Sequence, residues 1–216
     1  MLLKPDQSKA IEALVAGVES RTGVQVVVAV VEKSDNYVEL PWKAFALGAS
    51  VASLAVVLLD VLRPQWVTAD TALIHAVAIL GTAASLALVA VFVRPFARLF
   101  LREARGHVEV KQHAQSLFLT RELFRTERRT AVLVFLSEFE RRIEILPDVG
   151  LHGRIRDSDW RLVIDMMSPE LRRVQPARAI EAGLRAIEEL LVSKGFHRRA
   201  GAKDVLPDKP IEETGS

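Results

Sequence analysis

The residues of this 216-residue chain best placed to do chemistry are carboxylates around one strand end. Asp148 follows the strand-like run RIEIL and Pro147, with Gly150 and Gly153 just beyond. A carboxylate in a glycine-containing loop at a strand end can reach a hard cation such as calcium or magnesium, which takes oxygen ligands. Glu144 lies four residues earlier and points to the same face as Asp148 only if the strand persists through Pro147. Glu127, from the preceding segment, is the third candidate ligand. The competing reading of Asp148 is a turn aspartate bonded to its own backbone. His152 beyond the loop could serve as an acid or a base. Arg128, Arg129, Arg141 and Arg142 carry charge that could hold a phosphate, though arginine pairs at turns are usually solvated faces. His107 and His113 are six apart on a helical stretch, the wrong spacing to share a metal.

A phosphatase needs a nucleophile or a metal-activated water, together with a cation clamp on the phosphate. The chain has no G-x-x-x-x-G-K-[ST] loop and no glycine-rich nucleophile elbow. It has no cysteine, which excludes disulfides, zinc–thiolate centres and cysteine nucleophiles. Lys plus Arg is 29 against 27 for Asp plus Glu, a net charge of +2, and this balance argues against a nucleic-acid binder.

The elements that would carry these residues alternate. Ile11, Leu14, Val15 and Val18 share one helical face, with Asp6 as the expected cap and Gly23 as the stop. Residues 24–32 (VQVVVAVVE) form a nearly continuous β-branched run, suited to a strand covered on both faces. One helix and one strand cannot make a core, so they must pair with later segments. A helix over 107–124 places Val110, Ala114, Leu117, Phe118 and Phe124 on one side. Strands follow at 130–137 (TAVLVFLS) and 142–146 (RIEIL), joined by a polar turn, which reads as a hairpin. Asp157 or Ser158 is the expected cap of a helix carrying Trp160, Val163, Ile164 and Met167 on one face, and Ser168-Pro169 predicts a bend. Pro176 opens a last helix with Ile180, Gly183, Leu184, Ile187 and Leu191 inward, and Gly195 ends it. Residues 197–216 are rich in Pro, Gly and charge, and are expected to be a disordered tail.

Between the first strand and the second helix lie two apolar runs, 44–62 and 72–93. As helices they would be roughly 28 and 33 Å long, close to the hydrocarbon thickness of a bilayer. Only Asp60, Arg63 and Asp70 are charged between 44 and 93. Trp42 and Trp66 bracket the first run, as interfacial indoles do. The connection 63–71 is short, so the runs form a hairpin with both chain ends on one side. Lys33, Lys43, Arg94, Arg98, Arg102, Arg105 and Lys111 lie on that side, against Arg63 in the loop. The positive-inside bias then puts both termini in the cytoplasm, and the chain in the inner (cytoplasmic) membrane without a signal peptide. Gly48/Ala52 and Gly81/Ser85 are small-residue pairs suited to close helix approach. Asp60 and His75 fall near the loop end, where Asp60 can reach Arg63; an ion site is the alternative reading. Arginines at 94, 98, 102 and 105 make a basic stripe read as the orienting flank.

The sequence therefore divides into 1–34, the first part of a domain; 35–105, a transmembrane hairpin with its basic flank; 106–196, the second part; and 197–216, the tail. The fold class is α/β, an α/β/α sandwich around a small mixed sheet, split by the hairpin. The N-terminal helix leading into VQVVVAVVE, then LFRTERRTAVLVFLSEFERRIEILPDVGLHGRI, WRLVIDMM, AIEAGLRAIEELLVSKGF and KDVLPDKP resemble, in that order, the TPM domain family. The resemblance covers about three quarters of the chain, everything outside the hairpin, and the hairpin itself is a departure from the family pattern. It implies an α/β/α sandwich. It also implies either an accessory or assembly module, or a weak divalent-cation-dependent acid phosphatase. Glu127, Glu144 and Asp148 match the family's acidic strand–loop region. The reading that follows is a membrane protein presenting a cytoplasmic binding module for membrane or envelope partners. Its alternatives are a cation-dependent phosphatase and a hairpin that drives homo-oligomerisation.

Overall fold

The strand that everything else surrounds is β1 (Gln25–Val31), and all seven of its residues are buried. A run of valines with no polar alternation has no face to offer water, so it takes a central place in the sheet. In the computed structural model, which describes residues 2–62, 68–198 and 205–214, β1 lies between β2 (Ala131–Ser137) and β4 (Ile211–Glu213), parallel to both. β3 (Arg142–Pro147) completes the sheet antiparallel to β2, giving the order β3-β2-β1-β4. Among the described residues the fold is therefore α/β, with seven helices and a small mixed four-stranded sheet.

Alternation along β1 and β2 sends side chains to two cores. Val26, Val28 and Val30 join Val132, Val134 and Leu136 beneath α1 (Pro5–Thr22), α6 (Asp157–Arg172) and α7 (Pro176–Ser193). Val27, Ala29 and Val31 join Leu133 and Phe135 beneath α5 (Glu103–Thr120), which contributes Val110, Ala114 and Leu117. Helices on both faces make the three layers that the pattern implied. Glu19, 5% exposed, reaches from α1 to accept the Val26 N–H at 2.8 Å, tying helix to strand where the chain reverses. Gly23 makes that reversal in the left-handed region at φ 70°, where a Cβ would be strained.

The helix ends differ from expectation in detail. Lys4, not Asp6, is the N-cap of α1, and its N–H donates to Gln7 Oε1 at 2.9 Å; Asp6 sits in the first turn, where its charge suits the helix dipole. No new helix starts at Ser168-Pro169. α6 runs through Pro169, and Ser168 Oγ donates to Ile164 O at 2.7 Å instead of capping a new helix. Proline this late removes one bond near a helix end, while Met167 and Leu171 stay buried on the core side. Phe124 lies in a short 3₁₀ turn, Leu123–Arg125, after α5 has ended. The segment expected to be a tail supplies β4 at Ile211–Glu213, because an edge of β1 is open there to backbone pairing.

The chain divides into two compact units, 1–35 with 104–216, and 36–103. The second unit holds α2 (Glu39–Leu62), α3 (Ala69–Phe92) and the short α4 (Arg94–Arg98). α2 and α3 each have 24 residues, about 36 Å of helix, long and apolar enough to cross a membrane. They run antiparallel, with Gly48 against Ala83 and Asp60 Oδ2 3.8 Å from His75 Nδ1 near the connection. The interfacial roles read for Arg63 and Trp66 fall outside the described residues.

A Cβ on Gly48 would stand 2.8 Å from Ala83 Cα and 3.2 Å from Thr82 O, whereas one on Gly81 would meet nothing within 4 Å. Gly48→Leu is expected to force the two helices apart and lower stability by about 1–3 kcal/mol. Gly81→Leu is expected to cost nothing. Thermal unfolding in detergent, followed by circular dichroism, compares the two.

Candidate functional site

Asp148 directly follows β3, and both oxygens of its buried side chain are hydrogen-bonded. It is 3% exposed as a residue. The β2–β3 register pairs Val132 with Pro147, so the hairpin's open end brings residues 128–131 beside 148–150. There the Asp148 N–H donates to Ala131 O at 2.8 Å, and the Gly150 N–H donates to Arg129 O at 2.9 Å. Both carboxylate oxygens face Arg129. Its Nε donates to Oδ1 at 3.1 Å and Oδ2 at 2.9 Å, and an Nη2 proton reaches Oδ1 at 2.9 Å. The Val149 N–H donates to the same Oδ1 at 2.8 Å, capping the 3₁₀ turn Val149–Leu151.

This clasp holds an otherwise strained loop. Arg129 sits at φ 55°, a left-handed conformation that costs a residue with a Cβ roughly 1–2 kcal/mol. Its guanidinium lies over the Phe124 ring, 5.4 Å from the centroid, so the aromatic of one 3₁₀ turn and the carboxylate that follows β3 fix the same cation. The Thr126 hydroxyl accepts the Thr130 N–H at 3.0 Å and closes the turn. Gly150 must be glycine: a Cβ would stand 2.6 Å from Arg129 O and run into Arg128 O.

Glu144 is placed differently. The condition for it to share a face with Asp148 is met, since β3 runs through Pro147. Yet it is half-buried opposite Phe135, and the positive charges around it come from His107 and Lys111 on α5 and from Arg142. Burial is the larger effect, so its carboxyl titrates above the ordinary glutamate range despite those cations. Glu127 is exposed in the turn after Thr126. His152 is exposed, and its N–H donates to Val149 O at 3.3 Å within the 3₁₀ turn.

The three carboxylates thus serve three surroundings. Among the described residues no group of three His, Asp or Glu side chains is arranged to hold a metal ion. Both oxygens of Asp148 accept from the Arg129 guanidinium and Oδ1 also from the Val149 N–H, so a divalent cation there would compete with Arg129. The donor set fits a clasp. The residue that composition and spacing left unassigned is Arg129, read only as one of four solvated arginines.

Asp148→Asn is expected to lower stability by about 2 kcal/mol, since it removes charged hydrogen bonds to a partly solvated arginine. In wild type, millimolar calcium, magnesium or manganese is expected to leave Tm unchanged; a metal-specific rise abolished by the substitution would show a cation taking the place of Arg129. Because the raised carboxyl of Glu144 makes its ionised form a cost to the folded state, Glu144→Gln is expected to raise Tm at pH 7. The gain fades as pH falls through the folded value and is gone below about pH 4, where the carboxyl is protonated in folded and unfolded chains alike. Thermal scans across that range check the sign.

The comparisons with known proteins bear on the same framework. No curated protein matches the chain in sequence. Among solved structures, the chain is similar to the BA42 protein of the psychrophilic bacterium Bizionia argentinensis, determined by NMR. The superposition has a TM-score of 0.58 at 11% identity and covers 97% of this chain and 94% of that one, a likeness of fold alone. The TPM domain family matches residues 61–190, more than half of the sequence and including α5, the β2–β3 hairpin with its clasp, and α6. The chain belongs to the TPM domain family.

Proposed function

We propose that the chain is an integral protein of the cytoplasmic membrane whose TPM domain, on the cytoplasmic side, is a binding module for membrane or envelope proteins. The observation that carries the membrane part is the surface of α2 and α3. Leu54, Leu58, Val61, Leu73, Ile74, Val77 and Leu80 are all more than half exposed. Helices apolar all round, with such side chains turned outward, suit lipid as their solvent. Trp42, 70% exposed and edge-on to Phe45, stands near the N-terminal end of α2, where an indole favours the interface.

Orientation follows from basic residues at the outer ends of the hairpin. Lys43 donates to Phe100 O at 3.2 Å and Arg105 pairs with Asp35 at 3.1 Å, so part of this charge also braces the local chain. The excess still lies at the end where both halves of the domain join the hairpin. Binding is favoured over catalysis by the Arg129–Asp148 clasp. It takes the best-placed carboxylate out of use as a metal ligand or a base.

The absence of cysteine makes the test direct. Single cysteines are introduced in place of Asp70, near the connection, and Glu189, on α7. Asp70→Cys is expected to react with an impermeant maleimide in intact spheroplasts, and Glu189→Cys only after lysis. Equal labelling of both before lysis, or release of the protein by alkaline carbonate, would overturn the membrane reading. Hydrolysis of p-nitrophenyl phosphate that needs a divalent cation and falls in Asp148→Asn would overturn the non-catalytic one.

A further inference from the structure

β1 has two unlike edges. Along one it pairs with β2 over all seven residues; along the other it pairs with β4 over Ala29, Val30 and Val31 alone. Without β4 this valine-rich strand would present a bare edge, the kind of surface that pairs with any extended chain it meets. The guard is short, and Ile211, Glu212 and Glu213 are each only partly buried. A three-residue strand so little covered belongs to the low-stability end of a fold, where local opening is frequent.

What holds β4 is specific to its side chains. The Glu32 N–H donates to Glu213 O at 3.0 Å, extending the ladder by one bond. On the α5 side of the sheet, Arg121 Nη2, just past the end of α5, donates to Glu213 Oε1 at 3.3 Å, and His113 Nε2 on α5 lies 3.4 Å from Oε2. Glu212, on the opposite face, accepts the Leu2 N–H at 2.6 Å and the Leu3 N–H at 3.3 Å through one oxygen. Ile211 packs against the core beneath α5. The edge therefore reads an apolar residue followed by two carboxylates, in parallel register.

We propose that this edge of β1 is a strand-docking site for an extended acidic segment of a partner protein, and that the chain's own C-terminal segment occupies it as a displaceable strap. The recognition is β-augmentation: backbone bonds to Val30 and Glu32 give affinity, and the Arg121 guanidinium selects a carboxylate at the third position. This gives the binding-module reading a place on the molecule. It stands on the sheet alone, so its test is separate from the labelling that tests the membrane reading.

The experiment uses the full-length chain in detergent, as wild type and as Glu213→Lys, with hydrogen exchange read at Glu32 and at Leu133–Leu136 of β2. A fluorescent peptide of residues 205–214 is then titrated into each, beside the same peptide with lysine at the Glu213 position. Glu213→Lys is expected to speed exchange at Glu32 by about tenfold or more, with β2 still protected. The variant is expected to bind the acidic peptide about tenfold more tightly than wild type does, because the cis competitor is weakened, and not to bind the lysine peptide. Unchanged exchange at Glu32, no binding of the acidic peptide to a variant with β2 protected, or equal binding of both peptides would each overturn the proposal. If Glu213→Lys loses protection in β2, Glu213→Gln, which weakens the clips on the strap and leaves the docking site's own side chains intact, is judged by the same criteria.

Discussion

The constraint on which the rest of this structure depends is that β1 has no surface of its own. Each of its seven residues is buried, so both faces need helices and both edges need partners. Each buried valine contributes about 1.5 kcal/mol or more only when all of those neighbours are in place. The neighbours come from widely separated segments. α1 precedes β1 directly, while α5 and β2 lie beyond a 68-residue unit, and β4 comes from the last residues described. The long-range pairing of β1 with β2 is what makes one domain of two sequence fragments.

Much of this was legible because period and composition report burial. The unbroken VQVVVAVVE run announces a central strand, and TAVLVFLS with RIEIL announces a hairpin whose turn at 138–141 is where the structure has it. The stripe on α7 was read residue by residue: Ile180, Gly183, Leu184, Ile187 and Leu191 are all buried. What failed was decided by tertiary context. Ser168-Pro169 has the chemistry of a helix start, yet packing of Met167 and Leu171 carries α6 through it. Residues 211–213 have the composition of a tail, and only a vacant sheet edge makes them a strand. Neither packing nor a vacant edge is written in local sequence.

The candidate site shows the same division. At a strand end before two glycines, Asp148 reads from the sequence as a candidate cation ligand or a turn aspartate. The contact its side chain makes in the structure is with a residue 19 positions earlier. Hairpin register could have supplied it: pairing Val132 with Pro147 sets residues 131 and 148 opposite, and Arg129 lies just beyond. Spacing along the chain grouped Asp148 with Glu144; spacing across the hairpin groups it with Arg129. A carboxylate between a guanidinium and a backbone N–H is electrically satisfied, so the local field does not call for a further cation. The strain of Arg129 in the left-handed region is offset in the same place, by the hydrogen bonds its guanidinium makes to Asp148.

Bringing β2 back to β1 across the 68 residues of the 36–103 unit carries a loop-closure cost. The geometry of a helical hairpin removes most of that difficulty. α2 and α3 run antiparallel, so the entry and exit of the unit come together, where Lys43 near its start donates to Phe100 O near its finish. In the connection from β1 to α5 the unit then acts as a short link rather than a flexible loop of its full length. Even a flexible loop adds only about 0.6 kcal/mol for each doubling of length. The close approach of Gly48 to Ala83 keeps the two helices together as a unit, and so keeps that connection short. With its ends held together, the hairpin costs the seven-residue pairing of β1 with β2 less loop-closure entropy than a flexible segment of the same length.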